Sequence, residues 1–171
     1  MSETTAIVWT TQRVYPALWL RAIMLLAPLS GLAFLPGEFA YPAGTPWPLL
    51  AVFLFMVICM WPLAFAAHWI NGDSDGITIR YWPLLSRRIE YEHLVSVDYR
   101  RRVSPWDFGG IGLRLASGGI LALVNRKGPG IGMRLADGRA YFVILRDQRE
   151  LQLVQERIGQ VRPDLEGHQD R

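Results

Sequence analysis

Two hydrophobic rhythms divide this chain. Between Ala17 and Ile70 apolar residues run almost unbroken, and the only charges are Arg21 and Glu38. From Gly76 onward apolar and polar positions alternate and charges arrive every few residues. The first rhythm predicts long apolar helices, the second a run of short strands.

The apolar third contains two candidate spans. Residues 17–35, broken only by Arg21, reach roughly 28 Å as a helix, and residues 47–70, without charge, reach roughly 36 Å. Arg21 lies one turn inside the first span, where its stem can carry the charge back toward a headgroup layer. Trp47 and Trp69 fall at the ends of the second span, where membrane interfaces favour tryptophan. Pro28 and Pro62 would kink the spans, a defect membrane helices tolerate. A transmembrane two-helix hairpin is therefore expected. The connector "PGEFAYPAGTP" has no Lys or Arg, whereas Arg13, Arg80, Arg87 and Arg88 flank the spans, so both termini are expected on the cytoplasmic side. A cleaved signal peptide is the competing reading of the first span, and its long polar lead-in counts against it. Ala27 and Gly31 form a small-xxx-small pair suited to close helix packing. Cys59 and His68 are too far around a helix to share a metal.

Beyond Gly76 the period is two. "GITIRYW" sets Ile77, Ile79 and Tyr81 against Thr78, Arg80 and Trp82. "RRIEY" follows, and "LVSVDY" places Val95, Val97 and Tyr99 on one face. "IGLRLA", "GILALVN", "GIGMRLA" and "RAYFVIL" complete seven strands, punctuated by turns such as Ser117-Gly118 and Asp137-Gly138. A meander is the simplest arrangement. "GIGLRLASG" and "GIGMRLADG" match at seven of nine positions, twenty residues apart. Each is expected to turn three apolar residues inward (Ile111, Leu113, Leu115; Ile131, Met133, Leu135) and one arginine outward (Arg114, Arg134). Two hairpins using one good local solution explain the echo more simply than a duplicated binding unit.

"DQRELQLVQERIGQV" predicts a helix. Asp147 is the N-cap, Glu150 completes a capping box, and Leu151, Val154, Ile158 and Val161 form an apolar stripe that Pro163 ends. "EGHQDR" reads as a frayed tail.

Charge and composition narrow the function classes. The 171 residues carry a formal charge of +3, too mild to imply nucleic acid and compatible with anionic lipid headgroups. The single cysteine excludes an internal disulfide framework. The three histidines are scattered, and no nucleophile signature, carboxylate dyad or metal-spaced ligand set occurs, so no enzyme, cofactor or metal is expected. "NGDSDG" lacks the further ligands of a calcium loop and reads as a polar linker.

Seven strands and a closing helix after two apolar spans resemble the bacterial pleckstrin-homology-like (PH-like) domains that follow a two-span membrane hairpin. The stretches "GITIRYWPLLSRRIEYEHLVSV", "PWDFGGIGLRL" and "GPGIGMRLADGRAYFVILRDQRELQLV" carry the resemblance. It implies an α+β membrane protein with a PH-like seven-stranded antiparallel β-barrel or sandwich capped by one C-terminal helix. The implied organisation is an N-terminal cytoplasmic segment (1–16), a transmembrane hairpin (17–70), a linker (71–75), a PH-like domain (76–162) and a tail (163–171). The implied location is the bacterial inner membrane.

In a meander the first, third and fifth loops fall toward one end. They would gather Trp82, Leu84, Leu85, Arg101, Arg102, Trp106, Phe108, Arg126 and Lys127 into a basic and aromatic rim. The competing reading is structural: Trp106 and Phe108 fold back to cap the barrel, and the arginines are solvated. The expected function is that of a membrane adaptor or assembly protein whose rim binds a protein partner or a second copy. The alternative is a surface module for anionic lipid headgroups, and an enzyme is a distant third.

Overall fold

The computed structural model describes residues 9–30, 47–165 and 168–170. The chain divides into two compact units, one formed by the N-terminal segment together with everything from Ala67 onward, the other by Pro16–Ala66.

In the Pro16–Ala66 unit, α1 (Leu18–Ser30) packs against α2 (Trp47–Phe65). Arg21 turns its charge inward to the other helix: its Nε donates to the Ala64 carbonyl at 3.0 Å, and the guanidinium lies 5.7 Å from the Phe65 ring. Among the described residues the expected membrane hairpin is not found. Over the described residues α1 has 13 residues, roughly 20 Å of helix. The second apolar run ends its helix at Phe65 and gives residues 67–70 to a strand. Among the described residues no helix is long and apolar enough to cross a membrane. That finding overturns the membrane-spanning fold class, the inner-membrane location and the topology drawn from flanking arginines. An apolar run records composition, and composition does not say how much of the run becomes one helix. The connector, and Gly31 of the small-residue pair, lie outside the described residues.

The other unit is built on two sheets. The first has four strands in the order β1 (Trp9–Thr10), β2 (Ala67–Gly72), β3 (Gly76–Trp82) and β4 (Leu85–Glu90), all antiparallel. Two of these come from segments expected elsewhere: β1 from the N-terminal segment and β2 from the end of the second span. "AHWING" was legible only as apolar because both of its faces are largely covered. The "NGDSDG" stretch is the β2–β3 turn. Asp73 accepts from the backbone N–H groups of Asp75 and Gly76, each at 2.9 Å, and pairs bidentately with Arg88.

The second sheet contains β5 (Leu94–Val103), β6 (Gly112–Ala116), β7 (Ile120–Val124), β8 (Gly128–Leu135), β9 (Ala140–Ile144) and β10 (His168–Asp170). Its spatial order is β10-β5-β8-β9-β7-β6. The seven expected strands all form, but not as an antiparallel meander. β8 lies between β5 and β9, β7 runs parallel to β9, and β10, in the expected tail, runs parallel to β5. Alternation marks which residues are strand; it carries no information about which strand is the neighbour.

The same rearrangement breaks the internal echo. Ile131, Met133 and Leu135 of the interior strand β8 are buried, whereas Leu115 of the edge strand β6 is 77% exposed. A register shift between Leu94 and Ser96 likewise turns Leu94 into the core and leaves Val95 exposed.

α3 (Gln148–Val161) packs against β5 and β8, burying Leu151, Val154 and Ile158, while Val161 stays exposed. Asp147 caps it, accepting from the N–H groups of Arg149 and Glu150. Glu150 does not complete a capping box. Its buried carboxylate instead accepts from the backbone N–H of Gln12 at 2.6 Å and of Arg146 at 2.9 Å.

Candidate functional site

The β3 strand presents its two faces to different environments. Ile77, Ile79 and Tyr81 point into the core, so Thr78, Arg80 and Trp82 must point out. On the neighbouring strand Trp69 pairs with Arg80, and Ala67 with Trp82. The outer face of the four-stranded sheet therefore carries tryptophan, arginine and tryptophan in adjacent positions. A fourth residue joins them from the N-terminal segment: the Arg13 guanidinium lies 4.8 Å from the Trp69 ring. Trp82 and Leu84 are 51% and 64% exposed. Trp69, Arg80, Trp82 and Leu84, with Leu85 and Ser86, line a shallow depression of about 390 Å³. Among the described residues neither Arg13 nor Arg80 makes an ion pair with a carboxylate.

The stretch from Val103 to Gly110 folds differently from its neighbours. Ser104 and Asp107 form a reciprocal capping box around one 3-10 turn, Pro105–Phe108, and Gly109 ends it with a positive φ of 80° that suits glycine. That turn decides the fate of the two aromatics. Phe108 reaches back onto the sheet and stacks on Phe142, with centroids 4.6 Å apart, over a buried cluster of Val103, Ala122, Val124 and Ile144. Trp106 points away and is 75% exposed. Phe108 is thus half-buried against the six-stranded sheet while Trp106 is exposed.

The nine residues expected to form one rim lie in three loop regions, and the Val103–Gly128 pairing sets Arg101 and Arg102 beside Arg126 and Lys127. Trp82, Leu84 and Leu85 line the depression beside Trp69. Arg101 lines another, with Tyr99, Gln148 and Leu151. Phe108 lines a third, on the six-stranded sheet. Arg126 donates to the Arg146 carbonyl at 2.9 Å, and Arg102 and Lys127 are exposed. Consecutive strands from β5 to β9 still alternate in direction, so the β5–β6 and β7–β8 loops leave the six-stranded sheet at the same end, where Val103 pairs with Gly128. Trp69 and Arg13 escaped sequence reasoning because one was read as a helix end and the other as a topology signal.

Behind the Trp69–Trp82 face lies a buried polar seam. Asn125 donates from Nδ2 to the Val14 carbonyl at 2.9 Å, and Tyr81 donates to Asn125 Oδ1 at 3.4 Å. His68 is fully buried, its ring stacked with Tyr81 at 6.3 Å and its Nε2 2.6 Å from the Ile144 carbonyl. That contact requires Nε2 to carry the proton. Burial is the main cause that pushes the His68 pKa down, to about 4; the Ile144 carbonyl opposes the shift and the Arg126 charge adds to it. His68 is thus a neutral core residue. Burial also raises the Tyr81 phenol above its ordinary value, outweighing Arg114.

Comparison with protein families, with curated proteins and with solved structures finds no match. The resemblance to bacterial PH-like membrane proteins is accordingly set aside. No family relation supports it, and the strand order and helix lengths depart from what it implied.

Proposed function

We propose that the two-sheet unit is a non-catalytic binding module that docks an acidic segment of a partner protein on the Trp69–Arg80–Trp82 face. The observation that carries this reading is the exposure of Trp82 and Leu84 next to two arginines that lack a carboxylate partner among the described residues. Tryptophan and arginine dominate protein-binding hot spots: one buries a large apolar area and the other offers a planar fork to carboxylates. Here both stand on a regular antiparallel sheet, so little side-chain or loop ordering is required on docking. Arg13, already stacked on Trp69, keeps its remaining N–H groups available to a carboxylate.

The test uses the full chain and synthetic acidic peptides with one aromatic residue, compared with neutral and basic versions. Saturable binding of the acidic peptides, weakened about tenfold or more by Arg80→Glu and by Trp82→Ala at unchanged melting temperature, is the expected result. Equal binding of acidic and basic peptides would overturn the reading. So would binding of anionic vesicles with the same sensitivity to Arg80→Glu when no peptide binds, because the face would then recognise a lipid surface.

A further inference from the structure

We infer that the groove on the outer face of the six-stranded sheet binds a small carboxylate with an apolar body, its headgroup on Arg134 and its body against Phe108 and Ile120. The inference is independent of the Trp69–Trp82 face, which lies on the other sheet.

Three features build the groove. First, the Pro105–Phe108 turn covers only part of this face, leaving a cavity of about 300 Å³, near the lower end of the roughly 300–1,000 Å³ typical of small-molecule sites. Second, its floor is kept open by a glycine. Gly132 pairs with Asp98 on one side and Phe142 on the other. A Cβ there would lie 3.4 Å from both the Asp98 Cβ and the Phe142 ring. Those are ordinary van der Waals distances and its φ is not in the left-handed region, so the glycine is not forced here and its effect is to leave the floor of the groove without a side chain. Third, the charges are unevenly satisfied. Asp98 is paired with Arg100 at 2.8 Å, and the Arg100 guanidinium also lies 5.7 Å from the Phe142 ring. The Asp107 carboxylate is held by the Ser104 N–H within its own turn and makes no ion pair among the described residues. Arg134, at the opposite wall between Ser96 and Ala140, is exposed and has no ion-pair partner among the described residues.

The groove therefore offers an aromatic and aliphatic surface, from Phe108 and Ile120, and at Arg134 a cation without an ion-pair partner among the described residues. A ligand with a single carboxylate and a short aryl or alkyl body matches both. A guanidinium engages a carboxylate through two parallel N–H donors, which fixes the head. Phe108, stacked over the buried Phe142, keeps part of its ring exposed to the ligand body. A cationic head would meet Arg134 with the wrong sign.

Calorimetric titration of the full chain with 3-phenylpropanoate, hexanoate and 3-phenylpropylamine tests the assignment. Both carboxylates are expected to bind saturably, with the amine weaker by about tenfold or more. Arg134→Gln should weaken the carboxylates by a similar factor without moving the melting temperature, and Arg134→Lys should restore part of the loss. Gly132→Val, which fills the floor, should abolish binding. No saturable binding of either carboxylate up to about 10 mM, equal affinity for the amine, or binding indifferent to both Arg134→Gln and Gly132→Val would each overturn the assignment.

Discussion

The backbone N–H of Gln12 donates to the Glu150 carboxylate at 2.6 Å, joining residues 138 positions apart. One buried side chain thereby holds the N-terminal segment beside the start of the last helix, while its second oxygen accepts the Arg146 N–H. Thr11 and Asn125 hold the neighbouring backbone, Thr11 through the Ile70 N–H and Asn125 through the Val14 carbonyl.

Removing that carboxylate leaves two partly buried backbone donors unpaired. Glu150→Ala should therefore cost about 2 to 3 kcal/mol, and Glu150→Gln, which keeps one acceptor, about half as much. Urea unfolding of the full chain reads both values. A loss below about 0.5 kcal/mol for Glu150→Ala would mean that the N-terminal strand is held by its ladder alone.

The pH dependence of stability follows from His68. Its folded pKa, about 4, lies below the ordinary value of 6.5, so the unfolded chain binds the extra proton more readily. Stability is then fully present above about pH 6.5 and falls as pH drops toward 4, by on the order of 3 kcal/mol at most. His68→Gln should flatten this part of the profile, and a profile identical to the parent's between pH 7 and 4 would rule out His68 as its source. The variant's stability at pH 7 does not bear on the comparison, because only the slope is read.

The two aromatics of the Pro105–Phe108 turn should separate cleanly. Phe108→Ala removes the stack on Phe142 and part of the cover over Ala122 and Val124. Because Phe108 is only half-buried, the loss should be about 1 to 3 kcal/mol, below that of a fully buried phenylalanine. Trp106→Ala should change stability by less than about 0.5 kcal/mol. Thermal or urea unfolding decides the matter, and the reverse order of effects would mean that the turn docks through Trp106.

What the sequence determined by itself is local. The seven strands from Gly76 to Ile144 and the helix after Asp147 follow from alternation, turn dipeptides and an N-cap, all readable within a few residues. The inward side of β3 was legible for the same reason, since Ile77, Ile79 and Tyr81 alternate without interruption. Tertiary structure alone decided who neighbours whom. β1 and β2 are joined across the intervening helices, and neither shows alternation strong enough to mark a strand. The echoed segments have nearly the same residues, yet one became a buried interior strand and the other an exposed edge, because burial depends on sheet position. Glu150 had the spacing of a capping residue and was drawn instead to the Gln12 and Arg146 amides, which only the folded chain brings near it. The candidate sites obey the same division. Trp82 and Leu84 were visible as exposed turn residues, but their partners Trp69 and Arg13 reach them through pairings between strands that lie far apart in the chain.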